Sequence, residues 1–162
     1  MADEAKLIAV ETSGKVGGVA LSEGGRLADE RTITAGMRHG RELVPAIDAA
    51  FDRAGWAPGD VGVVAVSIGP GSFTGLRIAV MFARALAWRT GARVVAVPTL
   101  RAVAEQAPAE AARVAVVTDA QRGGVYWAVY GRAADGSLRR EGAEAVGPPE
   151  AVSYTHLTLP TN

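Results

Sequence analysis

The residues with the clearest chemical potential lie in Ser67-Ile68-Gly69-Pro70-Gly71-Ser72-Phe73-Thr74-Gly75-Leu76-Arg77-Ile78. Three glycines and a proline within seven residues are too dense for either regular element. Gly69 and Gly71 permit positive φ or a close backbone approach, and Pro70 fixes φ between them. Ser72 or Thr74 suits a helix N-cap. Backbone N–H groups exposed at such a helix start can hold an anion. The chemistry on offer is phosphate or anion binding, or a surface on which another chain docks. A plain, sharp strand-to-helix connection accounts for the same residues. Two common phosphate patterns fail. A Walker loop needs a lysine after its last glycine, and Leu76 follows Gly75. A dinucleotide fingerprint from Gly69 needs glycine or alanine where Thr74 stands.

Metal chemistry has less to work with. His39 has no second histidine nearby, and the position four residues on is Leu43, which cannot ligate. The chain has no cysteine, and its carboxylates do not cluster. His39 therefore reads as a capping or hydrogen-bonding residue, and no metal is expected. No His-Glu-x-x-His motif is present, and no serine or cysteine nucleophile is evident.

These residues must be positioned by strands and helices that the apolar pattern marks. Leu7 to Val10 reads as a buried strand ending in the polar turn Glu11-Thr12-Ser13-Gly14. Val16–Leu21 and Arg26–Thr34 read as two more strands around a Glu23-Gly24-Gly25 turn, completing an antiparallel meander. Leu43, Ile47, Phe51 and Ala54 recur at helical spacing over 41–54, with Pro45 near the first turn. Val61–Ser67 reads as a central strand leading into the glycine segment. The helix beyond it, 72–90, is apolar around its whole circumference, so two sides need cover. One side can pack on the sheet. The other is read as a partner-binding surface, with burial among the chain's own elements as the alternative. A strand at Arg93–Val97 and a helix from Thr99 to about Ala107 close the first lobe, with a boundary near Pro108. Strands at Val114–Thr118, Val125–Tyr130 and Leu138–Val146 follow, with Asp119 at the first strand end.

Composition narrows the function classes. The chain has 162 residues, 49% of them hydrophobic, enough for one domain or two small lobes. Seventeen basic residues balance seventeen acidic ones, which argues against gripping nucleic acid alone. The start is polar and no apolar segment is long enough to span a membrane, so a cytoplasmic protein is expected. The Thr-rich end, 153–162, resembles translated adapter sequence and is read as non-native, leaving the second lobe, 109–152, truncated.

Three segments together carry a family resemblance. They are Arg38-His39-Gly40-Arg41-Glu42-Leu43-Val44-Pro45, Gly69 to Ile78, and Asp119-Ala120-Gln121-Arg122-Gly123-Gly124-Val125-Tyr126. In order and spacing they resemble the TsaB (YeaZ) family, over about Leu7 to Val152. The resemblance implies an α/β, ribonuclease-H-like or actin-like fold. Its mixed sheet would have three antiparallel strands followed by parallel strands, flanked by helices, with a second lobe of the same type left incomplete. It implies a non-catalytic subunit of the bacterial complex that adds threonylcarbamoyl to the adenosine beside the anticodon of tRNAs. The partner would be the catalytic paralogue TsaD, with TsaE a further candidate and a homodimer when alone. tRNA would be reached only through the complex, and no cofactor is expected. The implied interface is Leu43, Ile47, Gly69, Pro70, Gly71, Phe73, Thr74, Gly75, Leu76, Arg77, Val80 and Arg84. Glu11, Thr12, Ser13 and Asp119 would be the remnant of a superfamily phosphate site; capping of their own turns is the competing reading. An ATP-dependent phosphotransferase or hydrolase of the same superfamily is the alternative function.

Overall fold

The computed structural model describes residues 5–33 and 39–153. Arg38 and the 154–162 tail lie outside the described residues, as does the side chain of His39, so the roles read for them are not addressed.

Short apolar runs separated by glycine turns build a five-stranded sheet. β1 (Leu7–Glu11), β2 (Gly17–Glu23) and β3 (Arg26–Ile33) form the antiparallel meander. Gly24 and Gly25 both take positive φ (56° and 76°) at the β2–β3 turn, which a side chain would resist. β4 (Val63–Ser67) and β5 (Arg93–Val97) then add in parallel on the other side of β1. The strand order is β3-β2-β1-β4-β5. β4 begins at Val63 rather than Val61. The N–H groups of Gly62 and Val63 both turn to the Lys6 carbonyl, and Val61 is buried just outside the ladder.

Two helices cover one face of this sheet. α1 (His39–Ala54) packs on β2 and β3, and α2 (Phe73–Thr90) on β4, β5 and β1. Alternation along the strands aims Ile8, Val10, Val19, Leu21, Val64 and Val66 into one cluster with Leu43, Ile47, Phe51, Ala79, Ala83 and Leu86. Burying each larger side chain contributes about 1.5–3 kcal/mol, so this cluster dominates the stability of the unit. α1 begins two residues before the expected start, so Pro45 falls in its second turn, on the exposed side. Asp29 on β3 ties the sheet to α1. Its carboxylate takes Arg31 Nε at 2.8 Å and Arg53 Nε at 3.5 Å.

The chain divides into two compact units at Pro98 and Thr99. The expected boundary at 108 is therefore corrected. α3 (Thr99–Ala104) buries Leu100 and Ala104 in the second unit's core, with Val116, Ala128, Tyr130 and Leu138. β6 (Arg113–Gln121), β7 (Gly124–Arg132) and β8 (Leu138–Gly147) form an antiparallel sheet in that order, and α4 (Glu150–Ser153) follows. No helix among the described residues is long and apolar enough to cross a membrane.

Candidate functional site

The glycine segment leaves β4 at Ile68, whose N–H donates to the Val97 carbonyl at 3.0 Å. Gly69 turns with φ 97°, a conformation in which a side chain would be strained. Ser72 is the N-cap of α2: its Oγ accepts from the Gly75 N–H at 3.2 Å. Gly91, in the left-handed region, ends the helix and donates its N–H to the Ala87 carbonyl.

The end of β1 is packed hard against this helix start. The Thr12 hydroxyl donates to the Gly75 carbonyl at 2.7 Å, and the Ser72 N–H donates to the Ser13 carbonyl at 2.6 Å. Glu11 Oε1 accepts from the Ser13 N–H. A Cβ at Gly71 would stand 2.5 Å from the Ser13 carbonyl oxygen, and one at Gly75 would overlap the Thr12 carbonyl outright. Thr12 and Ser13 are buried, at 0% and 5% exposure. Of the expected phosphate residues, Glu11, Thr12 and Ser13 thus form a brace at the helix start. The Thr12 hydroxyl and the Glu11 carboxylate are bonded within the fold, and the Ser72 N–H is not free for an anion. Asp119 belongs to the second unit, where Oδ1 accepts from the Gln121 N–H at 2.7 Å. That bond caps a turn in which Gln121, Arg122 and Gly123 all take positive φ.

The two faces of α2 differ sharply. Gly75, Ala79, Ala83 and Leu86 are buried, three of them small enough to let the helix lie close on the sheet. On the opposite face Phe73 is 70% exposed, Met81 63% and Trp88 90%. With Ile68, Leu76, Arg77 and Val80, Phe73 and Met81 line an open apolar depression of about 520 Å³. The Arg77 guanidinium stacks over the Phe73 ring, 4.4 Å from its centroid. Contiguous apolar exposure of this kind is uncommon on the surface of a folded unit.

Of the residues expected at an interface, Phe73, Thr74, Arg77 and Arg84 are exposed, and Pro70, Gly71, Leu76 and Val80 are half-buried. Gly69 and Gly75 are buried. Leu43 and Ile47 are corrected: they are 2% and 3% exposed, because the apolar stripe of α1 faces its own sheet. Ile68, Met81 and Trp88 belong to the exposed face and were missed. For the last two the signal was there, since 73, 77, 81, 84 and 88 share one helix face. Among the described residues there is no group of three His, Cys, Asp or Glu side chains that could hold a metal.

Comparison with known proteins gives the family of this fold. The model of the family TsaD, tRNA N6-adenosine threonylcarbamoyltransferase, matches residues 33–154. YeaZ from Pseudomonas aeruginosa superposes with a TM-score of 0.82 at 34% identity, over 98% of this chain and 72% of that one. The chain belongs to the TsaB (YeaZ) family. The tRNA threonylcarbamoyladenosine biosynthesis protein TsaB of Escherichia coli (strain K12) is 32% identical over 149 residues, 91% of this chain and 64% of its own length. The Bacillus subtilis (strain 168) TsaB is 31% identical over 124 residues, 76% of this chain and 54% of its own. The chain thus spans less than two thirds of the length of either TsaB relative. The fold is the actin-like α/β fold of this family, with a mixed sheet flanked by helices.

Proposed function

We propose that this chain is a non-catalytic docking subunit in the biosynthesis of threonylcarbamoyladenosine on tRNA, with a TsaD paralogue as its partner. The exposed face of α2 carries the reading: Phe73, Met81 and Trp88 are largely open to water beside an apolar depression. Docking would bury them, and desolvated aromatic anchors supply most of the affinity at such interfaces. The TsaB relatives, named for threonylcarbamoyladenosine biosynthesis, supply the process. The braced Glu11-Thr12-Ser13 segment supports a docking role over phosphate transfer, because its polar groups serve the helix start. tRNA would be met through the assembly, in keeping with a net charge of zero.

The test is co-elution of the full chain with the purified TsaD paralogue from the same genome. Phe73→Glu and Met81→Glu alter exposed side chains, so the variants fold while losing the complex. Variants that co-elute as well as the wild type would sink the reading.

A further inference from the structure

The chain contains no cysteine, and its sulfur is confined to Met1, Met37 and Met81. Met81 is the one sulfur-bearing residue among those described, and it is 63% exposed. It stands in the middle of α2, where it helps to line the apolar depression. Arg77 lies one turn before it and Phe73 two turns before, so the three form a ladder along one helix face. The Arg77 guanidinium stacks over the Phe73 ring. Ile68, Leu76 and Val80 complete the lining, so Arg77 carries its only side-chain hydrogen-bond donor. The thioether is the one group in this lining that a peroxide readily oxidises, and the chain has no thiol to intercept the oxidant.

We infer that Met81 is a redox switch: oxidation of its thioether by a peroxide turns docking off, and reduction of the sulfoxide restores it. This regulation rests on the docking function proposed above. In the forward step the sulfur attacks one peroxide oxygen. The O–O bond breaks, an S–O bond forms, the sulfur gives up two electrons and the second peroxide oxygen leaves as water. In the reverse step a dithiol, acting through a methionine sulfoxide reductase, carries the oxygen off as water and is left as a disulfide. The sulfoxide places a strong hydrogen-bond acceptor in an apolar depression. An incoming apolar surface would bury it unpaired, or would meet it paired to Arg77 with the guanidinium drawn off Phe73. The first costs the desolvation of a polar group, and the second breaks the stacked ladder. A partner already seated on this face would shield the sulfur, so the switch acts on the free chain.

The full chain is partially oxidised with hydrogen peroxide and offered in excess to the immobilised, purified TsaD paralogue from the same genome. Mass spectrometry then maps each methionine in the bound and unbound fractions. Met81 sulfoxide should be about ten-fold depleted from the bound fraction, while the sulfoxides of Met1 and Met37 divide evenly. Treating the unbound chain with sulfoxide reductases of both stereospecificities and a dithiol should return it to the bound fraction. The thermal midpoint of the oxidised chain should match that of the untreated one, because the side chain lies in water. Met81 sulfoxide spread equally over both fractions overturns the switch and leaves docking standing. So does a Met81 that stays reduced while Met1 and Met37 oxidise, a depletion of Met37 sulfoxide as strong as that of Met81, binding that reduction does not restore, or a lowered midpoint. An untreated chain that fails to bind the paralogue overturns the docking function, and the switch with it.

Discussion

The Thr12 hydroxyl, fully buried at the end of β1, donates to the carbonyl of Gly75 in the first turn of α2, 2.7 Å away. Sixty-three residues separate them in sequence. The bond fastens the helix that carries the exposed face to the central strand of the sheet. Thr12→Val keeps the shape and removes the donor. It should cost about 0.5–1.5 kcal/mol in urea unfolding with an unchanged m-value. Gly75→Ala is harsher, because its Cβ would overlap the Thr12 carbonyl and the helix must move away. A loss of about 1–3 kcal/mol is expected, larger than for Thr12→Val. Reversal of that order would mean that the helix start is not held by this contact.

The same brace bears on nucleotide. The donors that a phosphate would use at this turn are already bonded within the fold: the Thr12 hydroxyl to the Gly75 carbonyl, the Ser13 N–H to the Glu11 carboxylate and the Ser72 N–H to the Ser13 carbonyl. Titrating ATP and magnesium into the isolated chain should give no saturable heat. A well-defined binding isotherm would restore the phosphotransferase alternative.

Much of the first unit was legible in the sequence, and the misses have physical causes. Strands announced themselves as apolar runs between glycine turns, and Gly91 and Ser72 marked the ends of α2. The apolar stripe of α1 was equally visible, but periodicity says only that Leu43 and Ile47 face something apolar. Here that is the chain's own sheet. The two faces of α2 are both apolar, so hydropathy alone could not orient it. Size does: Gly75, Ala79 and Ala83 permit close packing, whereas Phe73, Met81 and Trp88 would force the helix away from the sheet. α3 changed sides because Leu100 and Ala104 found their cover on β6 and β7, which no local pattern reveals. Nor could spacing disclose the brace, since the partner of Thr12 is brought in by the parallel pairing of β1 with β4.

Tyr130 gives the second unit an alkaline weakness. Burial raises its pKa above the usual value, with the Glu144 carboxylate adding to the effect, while Arg140 and Arg101 oppose it. A raised pKa means that the folded state favours the neutral phenol. The stabilisation is complete below about pH 10, where the unfolded tyrosine titrates, and is lost as pH rises through the folded pKa. Its hydroxyl has no hydrogen-bond partner among the described residues. Tyr130→Phe should therefore be neutral or slightly stabilising at neutral pH and should flatten the alkaline fall in stability. Urea midpoints measured from neutral to strongly alkaline pH check both parts. A Phe variant with an unaltered alkaline slope would assign the weakness elsewhere.

Leu86 and Trp88 stand two residues apart on α2 and face opposite ways, the first 8% and the second 90% exposed. Substitutions at the two separate folding from the proposed docking within one helix. Leu86→Ala opens a hole between the helix and the sheet and should cost about 2–5 kcal/mol of stability. Trp88→Ala removes a side chain that the isolated chain leaves in water, and should change stability by no more than about 0.5 kcal/mol. In a complex through this face the indole would be desolvated, and tryptophan is over-represented among the residues that dominate such contacts. Trp88→Ala should then weaken binding to the TsaD paralogue by about 2 kcal/mol, close to thirty-fold. Thermal unfolding of the free chain and calorimetry with the paralogue measure the two effects separately. A Trp88 variant with lowered stability and wild-type affinity would put the indole inside the fold and remove it from the docking face.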